Sequence, residues 1–243
     1  VKIAVPSYVT PGSYLENASF LEDKRQISGI ELLFFLYDEE TRLLFEKEAA
    51  GIGSLKGRFS YTLHLPDILL PEHEELLTLT CDLVDHYIVH PPRFGEVPNR
   101  GAHKRGAPSG KAPGLDTFLP GWRDRYGDIF LLENTRYDLF EAALSRLPDI
   151  PVCCDTGHLL LEQRSPARFF ETFEDRIRQV HLHNLGLDQE DRLPDHRPLQ
   201  KGESWLEEML PWLESFTGPV ELELFSWDEI ETSLSVLEHY GLL

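Results

Sequence analysis

Residues 151–184, PVCCDTGHLLLEQRSPARFFETFEDRIRQVHLHN, hold two short apolar runs separated by one amphipathic stretch. Each run ends in residues that an apolar run should not contain: Asp155 in the first, His181 with His183 in the second. Short apolar runs without alternation are strands buried on both faces, the form that parallel sheets take. A carboxylate or imidazole inside one is costly unless it is paired or bound to a cation. The stretch between them opens with Ser165-Pro166, a helix-start signal, and continues with helical spacing. Strand, helix, strand is the parallel βαβ unit with its right-handed crossover.

The same unit recurs along the chain. Apolar runs predict strands over Lys2 to Val5, Ile30 to Phe35, Ser60 to Leu65, Tyr87 to His90, Ile129 to Glu133, Val152 to Asp155, Gln179 to His183 and Val220 to Leu224. TRLLFEKEA, EHEELLTLTCDLV, RYDLFEAALSRL, PARFFETFEDRI, SWLEEMLPWLESF and DEIETSLSVLEHY have helical spacing. Ser226, with Glu229 three residues on, has the spacing of a capping box. Eight such units close into an α/β fold, a single (β/α)8 TIM barrel of parallel strands ringed by helices. The 243 residues match one such domain, 1–243.

Five further runs carry a polar residue at or near the C-terminal end: Glu31 in GIELLFF, His64 in YTLHLP, His90 in YIVHP, Glu133 in IFLLEN and Glu223 in VELELF. Catalytic groups of these barrels gather at the C-terminal strand ends, so convergence on one site is the expectation. Glu31 lies early in its strand and either joins the site or anchors a positive side chain. Glu221, two residues deeper than Glu223 on the same face, reads as an internal ion-pair partner.

A net charge of −19 repels nucleic acid and anionic membranes, and no apolar run reaches the roughly 18 residues of a membrane span. The segment 91–114 breaks the acidic trend, with Arg93, Arg100, Lys104, Arg105 and Lys111 against Glu96 alone. Rich in Gly and Pro, it reads as a long βα loop over the active-site face, and its charge favours a small anionic substrate, phosphate above all. Cys81, Cys153 and Cys154 are an odd number with no zinc-ribbon spacing and read as small core residues. The opening VKIAVPSYV reads as a strand and not as a secretory leader, so a cytoplasmic location is expected. His73, His86, His103 and His239 read as surface or helix residues, and the four tryptophans as packing. Nothing in the sequence specifies an oligomeric state.

Glu133, Asp155, His181 and Glu223 end strands five to eight. Three buried carboxylates and an imidazole that converge raise one another's pKa unless a cation joins them. Oxygen-rich ligation with one nitrogen suits a divalent ion such as Zn2+, Mn2+, Co2+ or Mg2+. His64, His90, His158 and His196 would add ligands for a second ion or contact substrate. Arg136, after the LLENT motif, would hold a ligating carboxylate or a phosphate.

The order of HP after strand four, LLENT, CDTGH, VHLHN, DHRPLQKG and VELELF resembles the xylose isomerase-like superfamily of TIM barrels, which includes AP endonucleases of the endonuclease IV type. GIELLFF, DTGHLLLE, HLHN with DHRPL, and ELFSWDEIETSLSVL are further similar to cobamide-remodelling phosphodiesterases. The resemblance implies a divalent metal on Glu133, Asp155, His181 and Glu223, with His183 the alternative to His181 on strand seven. The endonuclease IV pattern has three zinc ions and an Asp-x-His pair. Here His196 fits that pair and Pro194 replaces the Asp, a departure from a trinuclear site.

Three functions fit these residues. The first is a metal-dependent phosphodiesterase in which metal-activated water attacks phosphorus. Its metal ligands would be Glu133, Asp155, His181, Glu223, His64, His90 and His196, with Glu133, Glu223 and His158 as the catalytic groups. His183, Arg93, Arg100, Lys104, Arg105 and Arg136 would bind substrate. The second is a sugar or sugar-phosphate isomerase or epimerase with Glu133 and Glu223 as the acid/base pair. The third is a binding barrel without metal chemistry.

Overall fold

The computed structural model describes residues 1–91, 115–186 and 195–243. Its strands are β1 (Lys2–Pro6), β2 (Ile27–Leu33), β3 (Ser60–His64), β4 (His86–Val89), β5 (Phe130–Glu133), β6 (Val152–Asp155), β7 (Ile177–His181) and β8 (Pro219–Glu221). The helices are α1 (Tyr14–Leu21), α2 (Glu39–Ser54), α3 (His73–Thr80), α4 (Leu115–Tyr126), α5 (Tyr137–Leu144), α6 (Thr156–Leu161), α7 (Pro166–Phe173), α8 (Ser204–Ser215) and α9 (Trp227–His239). Each strand pairs in parallel with the next, and β8 pairs with β1, so the sheet closes as a (β/α)8 barrel. Among the described residues no helix is long and apolar enough to cross a membrane.

The main core lies between the barrel's outer face and the helices, where Ile3, Val5, Leu32, Leu63, Tyr87, Phe130, Leu132 and Val180 meet Phe45, Ile52, Leu77, Phe140, Phe169 and Leu206. Side chains alternate along a strand, so outward apolar residues leave every second position to the barrel interior. That interior is unusually polar. Thr62 and His64, Glu31, Gln179 and His181, and Glu221 share it with a separate apolar cluster of only Ile88, Leu131 and Cys153.

Short side chains at the strand ends replace missing ladder hydrogen bonds and so aim the site. Asn134 donates through Nδ2 to the Asp155 carbonyl and accepts from the Asp155 N–H, both at 2.8 Å, locking the end of β5 to β6. The Thr156 hydroxyl stands 3.1 and 3.0 Å from the carbonyls of His181 and His183 and accepts from the His183 N–H at 3.1 Å. Ser7 Oγ accepts from the Leu33 N–H at 3.0 Å. Two boundaries differ from the sequence reading, and the Thr156 contacts explain the first. β7 ends at His181 because Thr156 takes over its hydrogen bonding, which leaves His183 beyond the strand; β8 ends at Glu221, and Glu223 lies past its end but buried.

Other differences are local. β2 begins at Ile27, which puts Glu31 in mid-strand and Phe35 in the following loop. Helix α1 falls outside the stretches with helical spacing, and it is Ser13 and Glu16 that start it with a complete capping box. Ser226 does precede α9, yet its side chain makes no cap hydrogen bond, whereas Ser165 caps α7 through the Arg168 N–H. His73 is buried at the start of α3, where its Nδ1 accepts from the Leu70 N–H at 3.2 Å.

Replacing Asn134 by Ala strands a buried carbonyl and a buried N–H. We expect a loss of about 2–4 kcal/mol of unfolding free energy in urea titration; a change under about 0.5 kcal/mol would show that β5 and β6 do not need this clamp.

Candidate metal centre

His64, His90 and Glu133 arrive from the ends of β3, β4 and β5. Glu133 Oε2 lies 3.3 Å from His64 Nε2 and 3.2 Å from His90 Nε2, and the two ring nitrogens are themselves 3.2 Å apart. Each ring's outer nitrogen faces an acceptor: His64 Nδ1 stands 3.0 Å from the Leu65 carbonyl, and His90 Nδ1 stands 3.2 Å from Asp67 Oδ1. With Nδ1 as the N–H side, both Nε2 lone pairs point at one another and at a carboxylate oxygen. Such an arrangement is repulsive unless a proton or a cation sits among them. Separations near 3.3 Å are those of atoms sharing a tetrahedral ion at about 2.0–2.1 Å from each.

His181 occupies the barrel axis below this group. Its Nδ1 faces Glu223 Oε2 at 3.4 Å and stands 3.9 Å from both Glu133 Oε2 and Asp155 Oδ2. Its Nε2 faces downward, 3.2 Å from each of Glu31 Oε2 and Glu221 Oε2. Glu31 also accepts from Thr62 Oγ1 at 3.0 Å and from Gln179 Nε2, and Gln179 reaches Glu221 at 3.3 Å. Carboxylates behind the far nitrogen of an imidazole fix the ring's orientation and raise its basicity toward a metal. Glu31 therefore lies under the site as an anchor for His181, and Glu221 pairs internally. The buried His181 Nδ1 and Glu223 Oε2 have no hydrogen-bond partner within the described residues, as a cation between them would require.

The DTGH motif is built around His183. Asp155 Oδ1 caps α6 by accepting from the His158 N–H at 2.7 Å, while Oδ2 stands 3.3 Å from His183 Nε2. A Cβ at Gly157 would fall inside the His183 ring, so only glycine admits that ring. The backbone N–H of His196 donates to His183 Nδ1 at 3.0 Å, which leaves Nε2 as the N–H that holds Asp155. His196 adopts φ +54°, a left-handed conformation that histidine tolerates in turns, and stacks on His183 with centroids 4.5 Å apart. Its Nε2 reaches Glu223 Oε1 at 3.5 Å. His158 stands at the rim, 3.5 Å from Glu133 Oε1 and 3.7 Å from Asp155 Oδ2.

Electrostatics agree with a cation-seeking centre. Burial pushes the Glu133 and Glu223 carboxyls up, but the surrounding imidazoles outweigh it and hold both well below the usual range. Burial and the Glu31 charge push Glu221 well above it. Burial lowers His90 and His196, yet Glu133 with Asp67 lifts His90 to about 10, and Glu223 lifts His196 to about 9. These protons neutralise charge that a divalent ion would otherwise neutralise.

The structure thus gathers His64, His90, Glu133, Asp155, His158, His181, His183, His196 and Glu223 at the C-terminal ends of the strands. It places Arg136 apart from them, exposed and paired with Asp138 through Nη2 at 2.8 Å. Arg93, Arg100, Lys104 and Arg105 lie outside the described residues. Asp67, Thr62, Gln179 and Thr156 escape a reading of the sequence. Asp67, three residues after His64, carries the only legible signal, a carboxylate in the β3 loop.

The fold has solved counterparts. The chain is similar to the probable 3-DHS dehydratase of petrobactin synthesis from Bacillus anthracis, with TM-score 0.65, 13% identity and 99% of each chain covered. It is similar to an L-ribulose 3-epimerase, with TM-score 0.62, 13% identity, and 100% of this chain and 94% of that one covered. It is also similar to endonuclease IV from Thermus thermophilus, with TM-score 0.56, 15% identity, and coverage of 98% and 100%. The likeness establishes the fold. Each of these neighbours is named as an enzyme, and their reactions differ. No family profile matches the chain, and no curated protein matches its sequence.

Gly157→Ala drives a methyl into the His183 ring and should cost at least about 1–3 kcal/mol in urea denaturation; wild-type stability would contradict the packing. For pH, the raised imidazoles stabilise the metal-free fold fully below their ordinary value of 6.5, and this is lost as pH rises through about 9 to about 10. A divalent ion competes for the same nitrogens, so its stabilisation grows as pH rises. The gap in Tm between Zn2+-loaded and chelator-treated protein should widen from about pH 6 to about pH 9, and a gap that narrows or stays flat would count against ligation by these imidazoles.

Proposed function

We propose that the protein is a divalent-metal-dependent hydrolase of a small anionic phosphodiester. The observation that carries this reading is the meeting of the His64 and His90 Nε2 atoms, 3.2 Å apart, at one oxygen of Glu133. Glu133 also faces His181, so its carboxylate joins a nitrogen-rich subsite of His64 and His90 to an oxygen-rich one of Asp155, His181 and Glu223. Carboxylate-bridged pairs of ions are the arrangement used to activate water against phosphate esters. A divalent ion bound there supplies a Lewis acid and a bound water of lowered pKa.

The chain's own residues supply the rest. His183 holds Asp155, and Glu31 with Glu221 holds His181. His158, side chain 21% exposed and 3.5 Å from Glu133, is placed to hand a proton to a departing oxygen at the rim. The segment 91–114 begins at the end of β4, beside His90, and its excess of four positive charges suits an anionic substrate. The motif resemblance makes a cobamide-like phosphodiester the substrate class to test first, and the ligand chemistry makes Zn2+, Mn2+, Co2+ and Mg2+ the ions.

An isomerase or epimerase using Glu133 and Glu223 at carbon is the second reading, favoured by the approach of both carboxylates to His181 Nδ1. Against it, His64 and His90 both engage Glu133 Oε2 and His158 stands 3.5 Å from Oε1, so the carboxylate faces imidazoles where the isomerase needs it to face carbon.

Metal-loaded protein should hydrolyse bis(4-nitrophenyl) phosphate, and His64→Ala or Glu133→Gln should lower kcat/KM by about 10²–10³-fold with thermal unfolding intact. No hydrolysis, together with deuterium incorporation from heavy water into a ketose, would replace this reading with the isomerase.

A further inference from the structure

An apolar cavity of about 310 Å³ opens on the same rim as the metal centre, and the hydrolytic chemistry leaves it unused. Its walls include Tyr8, Tyr14, Leu33, Phe35, Leu44 and Phe225, brought together by the segments that follow β1, β2 and β8. Tyr8 and Phe35 are about half exposed, at 49% and 48%, and Leu36 beside them is 69% exposed. Large apolar groups left open together in this way mark a binding surface more often than they mark chance.

The cavity adjoins the candidate site. The Phe35 ring lies 5.4 Å from that of His64, and the Phe225 ring lies 5.0 Å from that of His196. The two phenylalanines are 6.3 Å apart and inclined at 76°, so one wall of the cavity is also the flank of both histidines. Among its polar groups, those of Tyr14 and Ser7 are occupied. Tyr14 donates its hydroxyl to the Leu33 carbonyl at 3.0 Å, and Ser7 Oγ accepts from the Leu33 N–H at 3.0 Å. A ligand here meets mostly the rings and methyl groups of Tyr8, Tyr14, Leu33, Phe35, Leu44 and Phe225, which suits a planar ring in offset or edge contact. A sugar's hydroxyls against the same walls would lose water and gain few partners.

We infer that this cavity is the subsite for an aromatic or heteroaromatic ring of the substrate, carried on the same molecule as the anionic group bound at His64, His90 and Glu133. The inference rests on the anionic phosphodiester reading and narrows its substrate class. Substrates without a ring bind through the anion alone, and specificity resides in Phe35, Phe225 and the side chains facing them.

The test is calorimetric titration of the Zn2+-loaded full chain with methyl phosphate, phenyl phosphate and 1-naphthyl phosphate. Burial of a ring should make the two aryl esters about tenfold or more tighter than the methyl ester. Phe35→Ala and Phe225→Ala should each close most of that gap. Both side chains are partly exposed, and Leu44→Ala on the facing wall serves if either variant fails to fold. Equal affinities for the three esters would overturn the inference and leave the anion site standing. An aryl preference that survives in every variant would overturn it by placing the ring elsewhere. Binding of none of the three would overturn the anionic reading and this inference together.

Discussion

Glu133 is where two demands on the interior of this barrel meet. Its carboxylate is buried, and imidazoles from three other segments, His64, His90 and His158, turn toward it while His181 approaches from below. A carboxylate in that position cannot be left alone, because an unpaired buried charge costs several kcal/mol. Neither can the two Nε2 lone pairs of His64 and His90, which face each other across 3.2 Å. A proton or a divalent ion among these atoms would satisfy both. Most other features of the upper barrel serve to hold these groups in this frustrated arrangement.

The holding is done by residues that never reach the centre. Asn134 and Thr156 tie β5 to β6 and β6 to β7 where the backbone ladder ends. Gly157 makes room for His183, which in turn holds Asp155. Beneath, Glu31, Gln179, Thr62 and Glu221 form a polar floor in a barrel layer that other sequences could fill with Val and Leu. Burial raises both carboxyls of that floor, but His181 outweighs it at Glu31 and holds that group below the usual range, while the Glu31 charge helps push Glu221 well above it. Orientation of the ligands is thus secured before any ion arrives, which is the condition for a tight site.

The barrel and its ring of polar strand ends are legible in the sequence because a carboxylate or imidazole inside an apolar run is too costly to stand there without a partner. All eight strands fall where the apolar runs lie, and Glu133, Asp155, His181 and Glu223 do converge. Depth is legible only in part: Glu221 reads as deeper than Glu223, and it does lie beneath His181. Glu31 is left in sequence between the site and an anchoring role; it is in mid-strand below the site, while Glu223 is past a strand end within it. That distinction depends on strand register around a closed barrel, which no local pattern encodes. Roles of the histidines are also hidden. Whether His181 or His183 faces an ion turns on which nitrogen is engaged by Glu31 and by the His196 backbone, partners 150 and 13 residues away. Helix α4 is obscured by Pro120 within it, and Phe35 extends an apolar run past the point where its strand ends.

An ion at the shared carboxylate is the central claim. Crystals grown with Zn2+ and measured on both sides of its absorption edge address it directly. Two anomalous peaks about 3.5–4 Å apart are expected, one bonded to His64 and His90 Nε2 and the other to His181 Nδ1, with Glu133 between them. A map with no peak in reach of His64 and His90, at zinc concentrations that fill an ordinary structural site, would contradict it.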